Sequence, residues 1–263
     1  MRLALHIGWY AIRDVARNRW GLLYTAFFLI VTVGLFQLQA QSAKVAVSLM
    51  SICLFLIPLV SSLFGTIYFY NSREFVELVL TQPVNRRTVY VGMFCGLGAS
   101  LVAGFILGVG LPYLFFMTIS QEQLLSLLLL LTVGSFLTII FLAISFLLAT
   151  ILDDRGKGLA AILGVWLFTA LVYDGLVMLA TMAFSDYPLE TPLLIAVVTN
   201  PIDLARVTLL VQTDWAALMG YTGAVFNRFF GTGLGVSIAV VALCLWIVTP
   251  LLIGLRQFRH KDL

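Results

Sequence analysis

Six long apolar segments constrain the fold of this chain more than any other feature of its sequence. Each is long enough to cross a hydrocarbon core of about 30 Å as a helix, which satisfies its own backbone hydrogen bonds in lipid. The composition agrees, since 62% of the residues are hydrophobic and only 10% are charged, which excludes a water-soluble globular protein. We expect one all-α transmembrane domain over residues 1–263, with spans near residues 21–38, 45–70, 89–116, 124–152, 159–184 and 232–255.

The basic residues lie mostly on one side of these predicted spans. Twelve of the fifteen Lys and Arg residues fall in the two termini and in the loops after spans two and four. The positive-inside rule places that side, and both termini, in the cytoplasm. Three basic residues remain on the other side: Lys44, Arg206 and Arg228.

The arm before the first span, residues 1–19, has an amphipathic pattern. On a helical wheel one arc is apolar and the other carries Arg2, His6, Arg13 and Arg17. A helix with such a basic face lies in the membrane surface, where its cations meet lipid phosphates. This interfacial helix is either a simple anchor for span one or a lever that also contacts a cytoplasmic partner.

The cytoplasmic loop over residues 71–88 predicts a short amphipathic helix. Ser72 is placed to cap it, Gln82-Pro83 ends it, and one face is apolar through Phe75, Leu78 and Val79. Such a helix fits a groove on another protein, although a membrane-surface loop with an ordinary charge bias is an equal alternative.

Small residues recur every four positions along span three. Small residues at this spacing allow two helix backbones to approach closely in lipid. The pattern favours tight packing within the chain over a moving contact between subunits. The residues are Gly92, Gly96, Ser100, Gly104 and Gly108.

Asp174 is the only ionisable residue deep within a predicted span. A carboxylate there must be protonated, paired or facing water. No basic residue lies in another predicted span, which leaves hydroxyl groups or a wet cavity as its partners. Met178 and Met182 follow on the same helix face; thioethers can bind Cu(I), but Met in an apolar helix is usually packing. These three residues are candidates for a conduit, and structural hydrogen bonding is the equal alternative for Asp174.

The stretch 185–231 before the last span is too long for a simple turn. Asn200-Pro201 is a helix start signal, with Asp203 in the first turn, and a second helix is expected near Asp214. Broken helices of this kind are typical of re-entrant or interfacial elements. They predict an outer platform, either for docking or as a lid over the spans.

The sequence contains no catalytic, metal-binding or nucleotide-binding motif. Its three cysteines form no CxxC pair, and Gly156-Lys157-Gly158 lacks a Ser or Thr after the Lys, as a phosphate loop requires. We therefore expect that the chain is no enzyme by itself, and that it binds no metal, no cofactor and no nucleic acid.

These features together resemble an ABC-2-type transporter permease over essentially the whole chain. Three stretches are most similar to the branch of that family that supports maturation of the copper centre of nitrous oxide reductase. They are ELVLTQP at 77–83, NPIDLARV at 200–207 and ALMGYTGAVF at 217–226.

The resemblance implies partners and a location. The permease would form a homodimer in lipid of the bacterial inner membrane, with a cytoplasmic ABC ATPase that binds ATP and Mg, and with a periplasmic protein. Residues 72–81 would be the coupling helix on the ATPase and residues 153–158 a second, smaller contact. The implied ATPase contacts are Arg73, Glu74, Phe75, Glu77, Leu78, Arg86, Arg87, Asp153, Asp154 and Arg155. The implied platform for the periplasmic protein, over residues 200–226, uses Asn200, Pro201, Asp203, Arg206, Trp215 and Tyr221.

The implied function is to couple ATP hydrolysis on the partner to conformational change across the membrane, by moving a sulfur species or copper or by transmitting force outward. The absence of a cluster of Met, Cys or His through the spans argues mildly against copper. The alternative is an ATP-independent secondary transporter, or an intramembrane enzyme, that uses Asp174 as a proton site.

Overall fold

The computed structural model describes residues 19–38, 42–116, 121–184, 187, 189–212, 226 and 228–260. Residues 1–18 and 213–225 lie outside this part of the chain. The expected surface helix of the N-terminal arm, the helix expected near Asp214, and the platform residues Trp215 and Tyr221 therefore fall beyond what the structure describes.

Helices make up the secondary structure of the described residues. Span five is interrupted by a π-helical segment, Phe168–Val172, between two α-helices. The helices are α1 (Arg19–Leu38), α2 (Ser42–Asn71), α3 (Arg73–Leu80), α4 (Arg86–Phe116), α5 (Gln121–Ile151), α6 (Arg155–Leu167), α7 (Tyr173–Ala183), α8 (Glu190–Thr199), α9 (Pro201–Gln212) and α10 (Gly233–His260).

Five of the predicted spans appear as helices that are long and apolar enough to cross a membrane. The first predicted span corresponds to α1, whose apolar stretch Tyr24–Leu38 is shorter than the other five. The helix start predicted at Asn200-Pro201 is confirmed, since α9 begins at Pro201. Helix α9 follows α8 at an angle of 115°, and the two together have the length and composition of one more span. The all-α membrane fold is therefore confirmed. The five long spans are Val47–Asn71, Arg86–Phe116, Gln123–Ile151, Arg155–Ala183 and Gly233–His260.

Helix α5 is the centre of the bundle and packs against α2, α4 and α10. Near one end of the bundle these four helices share an aromatic cluster. The ring of Phe146 lies 5.4 Å from Phe69 and 5.7 Å from Tyr90, and Tyr90 lies 5.2 Å from Phe258. The cluster fixes the C-terminal ends of α2, α5 and α10 beside the N-terminal end of α4.

Two glycines of the small-residue stripe bring α4 against α1. A Cβ atom on Gly108 would lie 2.8 Å from the Thr25 carbonyl oxygen and 2.9 Å from the Phe28 Cβ. A Cβ atom on Gly104 would lie 2.8 Å from the Thr25 hydroxyl oxygen. At these two positions the stripe serves close packing within the chain. Gly92 and Gly96 are also buried, and Ser100 is half-buried.

Candidate functional site

Two groups of predicted site residues lie in different parts of the bundle. We call α3 together with the α5–α6 turn, residues 152–158, the coupling surface. We call Thr169, Asp174, Asn200, Asp203 and Arg206 the polar cluster.

Helix α3 presents an apolar face away from the bundle. Val76 is buried against the protein, whereas the side chains of Phe75 and Leu78 are 53% and 69% exposed. Val79 is half-buried, and the predicted contact residues Glu74 and Glu77 are exposed. With apolar side chains on one face and exposed acidic residues beside them, the helix has the amphipathic form of a docking element.

The predicted capping role of Ser72 is wrong. Ser72 has helical dihedral angles, φ −87° and ψ −1°, and its side chain makes no capping hydrogen bond. Its N–H donates to the Tyr68 carbonyl at 3.0 Å, and its own carbonyl accepts from the Val76 N–H at 2.9 Å. Helix α3 is therefore attached almost without a break to the end of span two.

The guanidinium group of Arg73 points into the protein and binds the C-terminal end of α5. It donates to the carbonyl oxygens of Asp153 at 2.7 Å, Leu152 at 3.1 Å and Ala149 at 3.4 Å. The last carbonyls of a helix lack intrahelical partners and carry partial negative charge, so a cation with several donors stabilises them. Its carbon atom Cζ also lies 4.5 Å from the centre of the Tyr70 ring.

Further contacts hold the α5–α6 turn against the α2–α3 junction. The Tyr70 hydroxyl donates to the Leu152 carbonyl at 2.8 Å and approaches the Asp154 carbonyl at 3.2 Å. Gly158 passes so close that a Cβ atom there would overlap this hydroxyl. Arg155 donates to the Asn71 side-chain oxygen at 3.3 Å. The two predicted cytoplasmic segments, 72–81 and 153–158, are thus neighbours in one surface.

The remaining predicted ATPase contacts lie on the coupling surface and at the start of α4. Asp154 caps α6, because its Oδ1 accepts from the Lys157 N–H at 2.8 Å. The Asp153 side chain is 79% exposed. Arg86 is half-buried at the start of α4, and Arg87 beside it is exposed.

Asp174 has a basic partner, which corrects the expectation from the sequence. Arg206 Nη1 donates to Asp174 Oδ2 at 2.8 Å and lies 3.1 Å from Asp203 Oδ1. The sequence predicts Arg206 on an outer platform, but the bend between α8 and α9 turns α9 back against span five. Arg206 is thus the basic partner of the Asp174 carboxylate that the sequence did not indicate.

The polar cluster is built on the π segment of span five, which the sequence did not indicate. Asn200 Nδ2 donates to the Thr169 carbonyl at 2.8 Å and to Asp203 Oδ2 at 2.9 Å. The Tyr173 hydroxyl lies 2.8 Å from the Ala196 carbonyl. These hydrogen bonds hold α8 and its junction with α9 against span five, at the π segment. A π segment is a type of helix irregularity that is frequent at functional sites.

Several predicted platform residues lie inside the protein. Asn200 is 1% exposed and Asp203 is 7% exposed, and Pro201 is also buried. Asn200 is buried because its side chain is used inside the protein. Its Oδ1 caps α9 by accepting from the Ile202 N–H at 3.1 Å, and its Nδ2 bonds to the Thr169 carbonyl of span five.

The three conduit candidates are not brought together. Asp174 and Arg206 border a half-open cavity of about 340 Å³ that is also lined by Met50 and Ser51 of α2. Met178 and Met182 are 60% and 64% exposed and do not line it. Within the described residues, no three His, Cys, Asp or Glu side chains are grouped so that they could hold a metal ion.

Comparison with known proteins places the chain among transporter proteins. A family model described as ABC-2 family transporter protein matches residues 5–263. A protein of Stutzerimonas stutzeri named probable ABC transporter permease protein NosY is 28% identical over 269 residues, which cover 95% of each chain. A protein of the same name from Pseudomonas aeruginosa is 28% identical over 273 residues, which cover 96% of each chain.

Proposed function

Because this chain belongs to the ABC-2 family of transporter proteins, we propose that it is the membrane subunit that couples ATP hydrolysis on a cytoplasmic ABC ATPase to movement of its own spans. The chain is a multi-pass permease similar to NosY. In this proposal it has no enzymatic activity of its own, and ATP and Mg are bound by the ATPase.

The observation that carries this proposal is the exposed apolar face of α3. Phe75 and Leu78 lie on a helix that is continuous with span two and is bound through Arg73 to the end of span four. A partner seated on this face would act on two spans at once. A helix that lays its apolar side chains into a groove is a common mode of recognition between proteins.

The partners follow the similarity to NosY. We propose a NosF-like ATPase on the cytoplasmic side, a NosD-like protein on the periplasmic side, and a role in maturation of the copper centre of nitrous oxide reductase. We also propose a homodimer. In the most apolar stretch of span Arg155–Ala183, only 11% of the residues are buried within one copy. The span therefore has a broad face for lipid or for a second copy.

The ion pair of Asp174 argues against the alternative function, a secondary transporter or an intramembrane enzyme that uses Asp174 as a proton site. The Asp174 carboxylate is bound by Arg206 at 2.8 Å. A carboxylate in a span that is paired with a guanidinium has a structural partner, whereas the proton-site alternative rested on an acid without a basic partner.

The experiment is co-purification of the tagged permease with a co-expressed NosF-like ABC ATPase, followed by vanadate-sensitive ATP hydrolysis in nanodiscs. We expect Phe75→Glu to abolish capture of the ATPase, because it puts a charge into an apolar contact. Phe75→Leu is the matched control, since it keeps the face apolar, and it should retain capture. If Phe75→Glu captures the ATPase as well as the unmodified chain does, α3 is not the docking element.

A further inference from the structure

The Arg73 side chain joins two segments that are far apart in the sequence. Arg73 begins α3, and its hydrogen-bond acceptors Ala149, Leu152 and Asp153 lie at the end of α5 and in the α5–α6 turn. The side chain is only 26% exposed. Its donors therefore face the protein's own carbonyl groups and are not directed toward a docked partner.

The planar guanidinium suits this position better than another cation would. It offers five N–H donors in a fixed fork, whereas a lysine ammonium is a compact charge on a flexible stem. Two of its nitrogens reach three carbonyl oxygens, and its Cζ lies over the Tyr70 ring, 4.5 Å from the ring centre. The Tyr70 hydroxyl then bonds to the same turn, at the Leu152 carbonyl.

We propose that Arg73 is a positioning residue that joins α3 and the α5–α6 turn into one rigid docking unit. The residue itself makes no contact with the partner. A displacement of α3 by the ATPase is carried through Arg73 to the turn, and so to the end of span four and the start of span five. This inference rests on the proposed function for its consequence in ATP hydrolysis, but the rigid joint is a property of the permease alone.

The joint is tested first in the permease without any partner. Spin labels are attached to Gln82→Cys and Lys157→Cys, both at exposed positions, in a chain whose native cysteines Cys53, Cys95 and Cys244 are replaced by Ala. Labelled chains are mixed with an excess of unlabelled chains, so that a homodimer carries one labelled copy, and double electron–electron resonance in nanodiscs should then give a narrow distance distribution. Arg73→Ala should broaden it, and Arg73→Lys should broaden it less, because one donor group remains.

Two further variants separate the joint from general misfolding and from docking. Tyr70→Phe keeps the ring and removes only the hydroxyl, so it should broaden the distribution slightly. Phe75→Glu changes the docking face and not the joint, so the distribution should stay as narrow as in the unmodified chain. Monodisperse elution of each variant shows that the bundle is intact.

The second test uses the complex with the ATPase. We expect Arg73→Ala to retain capture of the ATPase and to lose most of the vanadate-sensitive hydrolysis, with partial recovery in Arg73→Lys. An unchanged distance distribution in Arg73→Ala would overturn the inference. So would loss of capture with a narrow distribution, since Arg73 would then be a direct contact. Retained capture in Phe75→Glu would overturn the proposed docking face and leave the distance result standing.

Discussion

At the scale of single residues, Arg206 carries one positive charge that two carboxylates share. Asp174 and Asp203 lie 2.8 Å and 3.1 Å from the same nitrogen, Nη1. Asp203 is 7% exposed, and its other oxygen accepts from Asn200. Because both acidic side chains contact the one guanidinium group, the cluster depends on the arginine more than on either acid.

The Arg206→Ala variant should therefore be less stable than Asp174→Asn. Removing the cation leaves two neighbouring carboxylates unpaired, whereas removing one acid leaves a balanced pair of Arg206 and Asp203. Because the Asp174 and Arg206 side chains are 38% and 33% exposed, water screens part of the effect, and we expect a loss of about 2 kcal/mol for Arg206→Ala.

The measurement is the midpoint of thermal unfolding of the two variants in the same detergent. We expect the midpoint of Arg206→Ala to lie well below that of Asp174→Asn. Equal midpoints would show that Arg206 contributes no more to stability than Asp174 does, and would contradict the prediction.

At the scale of the helices, the contact between α1 and α4 depends on glycine. In lipid, helices associate mainly through close van der Waals packing, and the missing Cβ of Gly108 lets the backbone of α1 approach. An added methyl group would press on the Thr25 carbonyl oxygen and on the Phe28 Cβ. Neither atom can turn aside without moving the helix.

We expect Gly108→Ala to destabilise the protein by about 1–3 kcal/mol, because the two helices must separate. Gly164→Ala on α6 is the matched control, since a Cβ atom there would meet no heavy atom within 4 Å. Thermal unfolding in detergent distinguishes the two. A Gly108→Ala protein as stable as the Gly164→Ala protein would mean that close contact with α1 is not required.

The elements differ in how far the sequence predicts them. The spans and α3 can be predicted locally. A run of apolar residues, or the amphipathic pattern of an eight-residue helix, is visible within the segment itself. The pairing of Asp174 with Arg206 is not local. It depends on the 115° bend between α8 and α9, which brings a residue 32 positions away against span five. The π segment at residues 168–172 is not indicated by its own sequence, and the Thr169 carbonyl within it accepts from the Asn200 amide, which lies 31 positions further on.

At the scale of the whole molecule, seven basic residues of the described part of the chain lie at one end of the bundle. The contacts of Arg73 and Arg155 place α3 and the α5–α6 turn side by side. The aromatic cluster brings Phe258 near the C-terminal end of α10 within 5.2 Å of Tyr90 near the start of α4. The basic residues that these contacts place at one end are Arg73, Arg86, Arg87, Arg155, Lys157, Arg256 and Arg259.

Since short loops rich in Lys and Arg are retained in the cytoplasm, the end that carries α3 should face the cytoplasm and the α7–α8 connection should face outward. Gln82 is exposed beside α3, and Tyr187 is 69% exposed between α7 and α8. In intact spheroplasts, a membrane-impermeant maleimide should therefore label Tyr187→Cys, whereas Gln82→Cys should be labelled only after permeabilisation.

The parent chain with Cys53, Cys95 and Cys244 replaced by Ala is the control and should stay unlabelled. The reverse pattern would place α3 outside the cell, where no ATP-hydrolysing partner could reach it, and would contradict both the topology and the proposed coupling.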